Sequence, residues 1–354
     1  MLKHNISSLT GLRGLAAWWV VFYHFREAMG AGGGHPWLDT LFGHGYLAVD
    51  LFFVLSGFVI AYNYAHFFTH LNWSDVRSFY AKRIARIYPL HIFLLVLFLL
   101  NPIALHLFSV SGELGSRYDP AYFLLSVFLV QNWGFAQELA WNIPAWSIST
   151  ELAAYLMFPL VVFVLKRLSV PLLLLGYTSF LAALYLIFHA NGLESLGHEI
   201  ARLGLYRCAL QFFMGAVLGL LWMKYFEARS TISRGALLVA VALIATQWMS
   251  GWLSNLLFVP LTFTCTILYL LNERSLGSMA LSRPVLVYLG EISYSTYLVH
   301  YFVKDWVKFL SAEFGLLQFF VYGFAVLVAS MVLYRYVEVP FRGRTFQLLQ
   351  FGKQ

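Results

Sequence analysis

Long apolar runs constrain the fold of this chain more than any other feature. The first lies in "LTGLRGLAAWWVVFYHF", from Leu9 to Phe25, and nine further mostly apolar runs of similar length follow it. A run of about 20 apolar residues is long enough to cross a bilayer as an α-helix. Charged residues make up 11% of the 354 residues, whereas soluble domains carry about 25%. The sequence therefore predicts an all-α integral membrane protein.

The apolar runs predict about ten transmembrane helices. They are expected at residues 12–29, 45–68, 86–108, 147–165, 170–190, 204–224, 235–252, 254–271, 285–306 and 316–337. An eleventh run near 121–135 is shorter and leads into a polar, tryptophan-rich stretch that ends at Pro144. We expect this run to be re-entrant or interfacial. The whole chain, 1–354, is predicted to form a single membrane domain.

The distribution of lysine and arginine predicts the orientation. With the N-terminus in the cytoplasm, most of these residues fall in inside loops, which is the usual bias of membrane proteins. The same bias predicts a cytoplasmic C-terminus. The net charge of +7 is explained by these loops, so it does not indicate a nucleic-acid partner. The expected environment is the lipid bilayer.

Arg13 and His24 are ionisable residues inside the first apolar run. Their separation of 11 residues corresponds to about three helical turns, so both side chains share one helix face about 16 Å apart along the axis. Ionisable groups inside a membrane are costly and usually functional. A snorkelling arginine and an interfacial histidine are the alternative interpretation.

Asp50 lies just inside the second run, at a depth similar to that of His24 because a short loop joins the two helices. A carboxylate beside an imidazole raises its basicity and fixes its tautomer. The next two small residues, Ser56 and Gly57, favour close helix packing.

Arg83 and Arg86, in "RSFYAKRIARIYPLH", lie on one face at the start of the third run. They could bind lipid phosphates. A phosphorylated cytoplasmic ligand is the sharper alternative, because guanidinium groups bind phosphate bidentately.

Further polar residues lie within later runs. Glu151 faces the same way as Ser147, four residues earlier, behind an interfacial Trp146. The remaining candidates are Arg207 with Gln211 on one face, Tyr294 and His300 across the ninth run, and Glu338, which could neutralise an inside arginine.

Seven stretches in order resemble acyltransferase family 3, the multispan enzymes that O-acylate bacterial surface polysaccharides and related acceptors. They are "LTGLRGLAAWWVVFYHF", "VDLFFVLSGFVI", "RIAR", "WSISTELAAYLMFP", "YR…QFFMGAVLG", "GEISYSTYLVH" and "VEVPFR". The resemblance covers nearly the whole chain. One departure is "STELA", where many relatives carry two acidic residues and this chain has only Glu151.

The resemblance implies a donor and a set of roles. A cytoplasmic acyl-CoA, with acetyl as the expected acyl group, would place its phosphates on Arg83 and Arg86 and its pantetheine arm past Arg13. His24 would be the general base that activates an acceptor hydroxyl. Asp50 or Glu151 would orient or charge-balance its imidazole, and the residues alone do not choose between them.

The acceptor would be a carbohydrate at the outer face of the bacterial inner membrane. Residues expected to line the site are Trp146, Ser147, Arg207, Tyr294 and His300. Direct transfer is favoured over an acyl-enzyme because no serine or cysteine lies in a recognisable nucleophile motif. No metal is expected, because the histidines lack ligand spacing.

A proton-coupled transporter of a glycan precursor or small metabolite is the rival hypothesis, because polar residues on several membrane helices also line transport pathways. The sequence shows no inverted repeat and no matched pair of broken helices, which many transporters have. Dependence on coenzyme A separates the two hypotheses.

Overall fold

The computed structural model describes residues 6–29, 36–108, 116–226, 230–250, 254–311 and 315–350. These residues form α-helices joined by short turns, and no strand occurs among them. The helices are α1 Ser7–Phe25, α2 Pro36–Gly43, α3 Ala48–Tyr64, α4 Trp73–Leu97, α5 Leu100–Phe108, α6 Pro120–Val127, α7 Trp146–Leu165, α8 Val170–Ala190, α9 Ile200–Leu221, α10 Ser230–Ser250, α11 Asn255–Leu270, α12 Leu276–Leu281, α13 Pro284–Glu291, α14 Ser293–Leu310, α15 Leu316–Leu333 and α16 Val339–Gln350.

Six helical stretches in the described ranges are long and apolar enough to cross a membrane. They are Thr40–Thr69, Trp73–Phe108, Ile143–Leu165, Val170–Ala190, Ile200–Tyr225 and Leu316–Leu349. The predicted all-α fold is therefore confirmed for the described residues, with six candidate membrane-spanning stretches. The count of ten spans stays a prediction, as does the cytoplasmic placement of the termini, whose first five and last four residues lie outside the described ones.

The run near 121–135 contains a helix of only 8 residues, α6. The side chain of Asp119 caps it by accepting hydrogen bonds from the backbone N–H groups of Ala121 and Tyr122. A helix of this length is too short to span a bilayer, in agreement with the sequence analysis. Its re-entrant or interfacial placement stays a prediction.

The predicted span at 285–306 is not one helix. It is divided at Ile292 into α13 and α14. The Ser293 hydroxyl donates to the carbonyl oxygen of Gly290 at 2.7 Å, and serine side chains compete in this way with helical hydrogen bonding. The break leaves the Gly290 carbonyl accessible to other donors, which matters for the position of Arg13 below.

Close glycine contacts fix α1 against α13. A Cβ on Gly290 would lie 1.8 Å from the carbonyl oxygen of Thr10, and one on Gly14 would lie 2.7 Å from the backbone nitrogen of Gly290. Only glycine permits backbones to approach this closely. The contact holds Arg13, between these two α1 residues, against the break at Ile292.

The same kind of contact joins α3 and α9 at the centre of the bundle. A Cβ on Gly57 would lie 1.8 Å from the carbonyl oxygen of Phe212, and one on Gly215 would lie 1.9 Å from that of Val54. The prediction that Gly57 packs helices together is confirmed.

We expect Gly57→Ala to destabilise the protein by about 1–3 kcal/mol, because the added methyl group forces α3 away from α9. Gly176→Ala on α8 is the matched control, since its Cβ would meet nothing within 4 Å. Thermal unfolding of the purified protein measures both. Equal unfolding temperatures for the two variants would contradict the close packing.

Candidate active site

A cavity of about 170 Å³ lies inside the bundle between α1, α3, α4, α7 and the α13–α14 break. Its walls are apolar over much of their area, with Phe52 and Ile87 among them. The polar residues that face it are Arg13, Ser56, Arg83, Arg86, Ser147, Glu151, Tyr155, Ser293, Tyr294 and Tyr297. We call this space the inner cavity.

A larger cavity of about 560 Å³ adjoins it at one end of the bundle. Arg13, Arg83 and Arg86 line both spaces, so these arginines stand at the junction between them. Lys82 and Arg342 add two more cationic groups to the larger cavity. We call this space the arginine cavity.

Arg86 is neutralised by Glu338. The two side chains form an ion pair, and the Glu338 carboxylate is almost fully buried. The hydroxyl of Ser295 donates to its other oxygen at 2.7 Å. A π-helical turn, Tyr334–Glu338, carries this carboxylate. The prediction that Glu338 neutralises one of these arginines is confirmed.

Arg83 and Arg13 have only neutral hydrogen-bond partners among the described residues. Arg83 donates to the Tyr64 hydroxyl at 3.0 Å, and its Nε is buried without a protein acceptor. Arg13 donates to the Gly290 carbonyl at 3.3 Å and to the Ser293 hydroxyl at 3.1 Å, both at the break between α13 and α14. Their positive charges are therefore available to an anion in the arginine cavity.

Glu151 faces the inner cavity from α7. The hydroxyl of Ser56 donates to its Oε1 and lies 3.4 Å from the hydroxyl of Tyr155. Ser56, interpreted from sequence as a packing residue, is therefore a cavity residue and a partner of this carboxylate. Its position one residue before a packing glycine hid this role.

The Asp50 carboxylate on α3 accepts hydrogen bonds from two side chains of α9. Arg207 donates from Nε to Oδ1 at 2.7 Å and from Nη2 to Oδ2 at 2.6 Å. Gln211, one turn further, donates to Oδ1 at 2.6 Å. All three side chains are buried. Charge-paired, hydrogen-bonded groups of this kind fix the register of two helices.

The expected site-lining residues divide into two groups. Ser147 and Tyr294 line the inner cavity. The Ser147 hydroxyl lies 2.9 Å from that of Tyr297, and the Tyr294 hydroxyl donates to the carbonyl of Ile87 at 2.5 Å. Arg207 and Trp146 stack on each other instead, with the guanidinium carbon 5.5 Å from the ring centroid. Neither is among the described residues that line the inner cavity.

His24 lies beyond the end of the inner cavity. Its ring centroid is 5.1 Å from that of His300 and 5.3 Å from that of Tyr301. Tyr297, which does line the cavity, is 5.9 Å from His300 on the same helix. Tyr297 and His300 thus connect the inner cavity with His24.

His300 is fully buried and its tautomer is defined by geometry. Its Nδ1 lies 2.6 Å from the Tyr297 carbonyl oxygen, and because a carbonyl only accepts, Nδ1 carries the proton. Its Nε2 is buried and has no protein partner in the described part of the chain. This imidazole was singled out from sequence as a site residue, and the structure brings it against His24.

One expected contact is corrected. Neither Asp50 nor Glu151 holds the His24 imidazole, because Asp50 is bound by Arg207 and Gln211 and Glu151 accepts from Ser56. The ring beside His24 belongs to His300. Depth in the membrane alone could not separate these partners, because it does not give the direction in which a helix face points.

The fold and site define a class of helical membrane protein in which a charged end cavity and an apolar inner cavity lead towards a histidine pair. Residues 6–335 match the acyltransferase domain family, which covers nearly the whole chain. The chain belongs to this family and is an acyltransferase, as the motifs indicate.

Curated relatives agree with the family. The chain is 30% identical to acyltransferase MdmB of Streptomyces mycarofaciens over 323 residues, which cover 84% of this chain and 79% of that protein. It is 23% identical to O-acetyltransferase OatA of Staphylococcus aureus over 379 residues, covering 98% of this chain and 58% of OatA. The chain thus spans less than two thirds of the staphylococcal relative. No solved structure matches it.

Proposed function

We propose that this protein moves an acetyl group from cytoplasmic acetyl-CoA to a hydroxyl of a carbohydrate on the outer face of a bacterial inner membrane. The observation that carries the proposal is the junction formed by Arg13, Arg83 and Arg86, which joins the arginine cavity to the inner cavity. The names of the relatives, acyltransferase and O-acetyltransferase, support an O-acyl transfer.

The charge of the arginine cavity suits a polyphosphate donor. Glu338 neutralises Arg86. Among the described residues, only one carboxylate, that of Glu291, lines the arginine cavity. Four more cationic side chains line it: Arg13, Lys82, Arg83 and Arg342. Guanidinium groups bind phosphate with charge-assisted hydrogen bonds. The nucleotide end of coenzyme A would occupy this cavity, and its narrow, uncharged pantetheine arm would enter the apolar inner cavity.

The proposed reaction places His24 as the general base. Its imidazole takes the proton of the acceptor hydroxyl, and the oxygen attacks the thioester carbonyl. The bond between the carbonyl carbon and sulfur breaks, and the departing coenzyme A thiolate receives the proton. The thioester would reach His24 by passing the hydrogen-bonded Ser147 and Tyr297, which line the inner cavity. His300, beside His24, would hold its ring in place.

Two of the catalytic candidates from the sequence analysis take other roles in this proposal. Asp50 is structural, because it ties α3 to α9 through Arg207. Glu151, with Ser56, lines the path of the pantetheine arm. Direct transfer of the acyl group to the acceptor is kept in this proposal, because no serine or cysteine lies in a recognisable nucleophile motif.

Release of coenzyme A tests the proposed function. Purified protein in lipid nanodiscs is mixed with radiolabelled acetyl-CoA and a de-O-acetylated bacterial polysaccharide. The proposal predicts free coenzyme A together with label on the polysaccharide. Neither product from correctly folded protein would contradict the proposal and favour a carrier, which needs no acyl-CoA.

Arg83→Gln is expected to raise the KM for acetyl-CoA by about tenfold to a hundredfold, because a hydrogen bond to a charged group contributes about 1.5–3 kcal/mol. Initial rates of coenzyme A release over a range of acetyl-CoA concentrations measure the effect. S-acetylpantetheine, which lacks the phosphates, should react equally well with the variant and the wild type.

Arg274→Gln is the matched control, since Arg274 is an exposed arginine in the loop before α12. It should leave the KM for acetyl-CoA unchanged. If Arg83→Gln impaired both donors equally, Arg83 would not bind phosphate, and the placement of the nucleotide in the arginine cavity would be wrong.

A further inference from the structure

A third cavity, of about 280 Å³, lies at the opposite end of the bundle from the arginine cavity. It is formed where α5 and the C-terminal half of α14 meet the turn at Ser116–Tyr118. Its volume is just below the roughly 300–1,000 Å³ of small-molecule sites, which suits a single small ring. The charge pattern of the sequence assigns this end to the outside. We call this space the outer cavity.

A connected polar network forms one wall of the outer cavity. Arg117 forms an ion pair with Asp305, and the Asn101 amide donates to the same Asp305 oxygen at 3.1 Å. The Trp306 indole donates to the Asn101 side-chain oxygen at 2.9 Å. Four residues from three segments are thus held in fixed orientation. The wall offers both donors and acceptors to a ligand.

The charges of the wall cancel. Arg117 is balanced by Asp305, and Lys308 pairs with Glu27 at 3.2 Å. An anionic ligand would therefore gain little here, in contrast with the arginine cavity. The Arg117 Nε is buried without a protein acceptor in the described structure. A neutral group rich in hydroxyls supplies such acceptors and fits a wall without net charge.

Aromatic rings complete the outer cavity. Tyr118, Trp306 and Phe309 line it, and Phe309 is 40% exposed at its rim. Trp306 and Phe309 have ring centroids 5.9 Å apart. Aromatic residues that combine an apolar face with a polar tip suit ligands that are apolar on one side and wet on the other. The C–H face of a sugar ring presents that surface.

Two side chains, Arg117 and Tyr301, connect the outer cavity with the histidine pair. The Arg117 guanidinium carbon lies 5.3 Å from the ring centroid of Tyr301. The His24 ring lies 5.3 Å from the same centroid, and the Lys304 ammonium lies 3.7 Å from it. The inner cavity approaches the same histidines from the opposite side through Tyr297. His24 therefore lies between two cavities of contrasting charge.

From this geometry we propose that the outer cavity binds one neutral sugar ring of the acceptor, with Arg117, Asp305 and Asn101 as its polar contacts and Trp306 and Phe309 as its stacking surface. This inference rests on the proposed function, because it names the site of that reaction's second substrate. Arg117 and Tyr301 lie between the bound ring and His24, and movement of these two side chains would bring the hydroxyl to the base.

Photocrosslinking tests the site without any acyl transfer. The full-length protein in lipid nanodiscs, free of glycoside detergents, is irradiated with a diazirine-bearing glucoside, and crosslinks are mapped by mass spectrometry. The inference predicts crosslinks within 100–108 or 301–311, with at least a fivefold loss when methyl glucoside competes. Wild-type crosslinks only at other segments, or insensitive to the competitor, would overturn it.

Two variants and one control sharpen the test. Ala104→Trp fills the cavity without removing a polar group. Phe309→Ala removes only an exposed ring. If the Ala104→Trp protein fails to fold, Phe309→Ala still tests the inference. Both should reduce crosslinking at least fivefold. Phe135→Ala, which removes a more exposed phenylalanine ring outside this cavity, should not change it. Equal crosslinking in all three variants would overturn the inference.

Kinetics distinguish failure of this site from failure of the proposed function. In the acetyl-CoA assay, Phe309→Ala should raise the acceptor KM several-fold and leave the KM for acetyl-CoA unchanged, which identifies lost acceptor binding. Acetyl transfer with unchanged acceptor KM would overturn the sugar site and leave the proposed function standing. Crosslinking at the outer cavity without any acetyl transfer would support the sugar site and contradict the proposed function.

Discussion

His24→Ala is expected to lower the rate of acetyl transfer by about 10²–10⁴-fold, the range for loss of a general base. The substitution removes the ring that packs on His300 and Tyr301 and leaves the arginine cavity intact. The KM for acetyl-CoA should therefore remain close to the wild-type value. Label transfer to polysaccharide from radiolabelled acetyl-CoA measures both quantities.

His189→Ala is the matched control, because His189 is an exposed histidine at the end of α8 that stacks on Tyr185. It should transfer acetyl groups at the wild-type rate. A His24→Ala protein that unfolds at the wild-type temperature and retains full activity would remove His24 from the chemistry.

Asp50→Ala is expected to destabilise the protein by about 3–5 kcal/mol, because it leaves the buried Arg207 guanidinium without its carboxylate. Arg207 is 1% exposed, so water cannot replace the lost partner. Thermal unfolding in detergent should therefore occur at a clearly lower temperature. Asp75→Ala, at a partly exposed position in the first turn of α4, is the control and should unfold close to the wild type.

The double variant Asp50→Leu with Arg207→Met tests the cause of that loss. Replacing both members of a buried ion pair with apolar residues is often neutral or stabilising, so the double variant should recover most of the lost stability. It should also retain acetyl transfer if Asp50 acts only through helix packing. Loss of transfer in a fully stable double variant would return Asp50 to the catalytic residues.

Hydropathy and the positions of glycine residues predict most of the fold. Each predicted span has a helix in the described structure, because a bilayer requires long apolar helices and leaves few alternatives. The span at 285–306 was predicted as one helix and is two, since the break depends on a local bond from Ser293 to Gly290. Apolar composition contains no signal for such a bond.

The site was only partly predictable. The arginines at the junction follow from charge clustering, and the Arg86–Glu338 pair follows from the need to neutralise a buried charge. The pairing of Asp50 with Arg207 does not follow from the sequence, because Arg207 lies 157 residues away. The outer cavity left no motif in the sequence, since its wall combines residues from α5, the Ser116–Tyr118 turn and α14. Tertiary packing alone creates it.

Transfer across a membrane tests the central claim most directly, because the account places the donor and the acceptor at opposite ends of one path through His24. Purified protein is reconstituted into sealed vesicles with de-O-acetylated polysaccharide trapped inside, and radiolabelled acetyl-CoA is added outside. The account predicts label on the trapped polysaccharide in wild-type vesicles and none with His24→Ala. Label only on polysaccharide supplied in the same compartment as acetyl-CoA would contradict it.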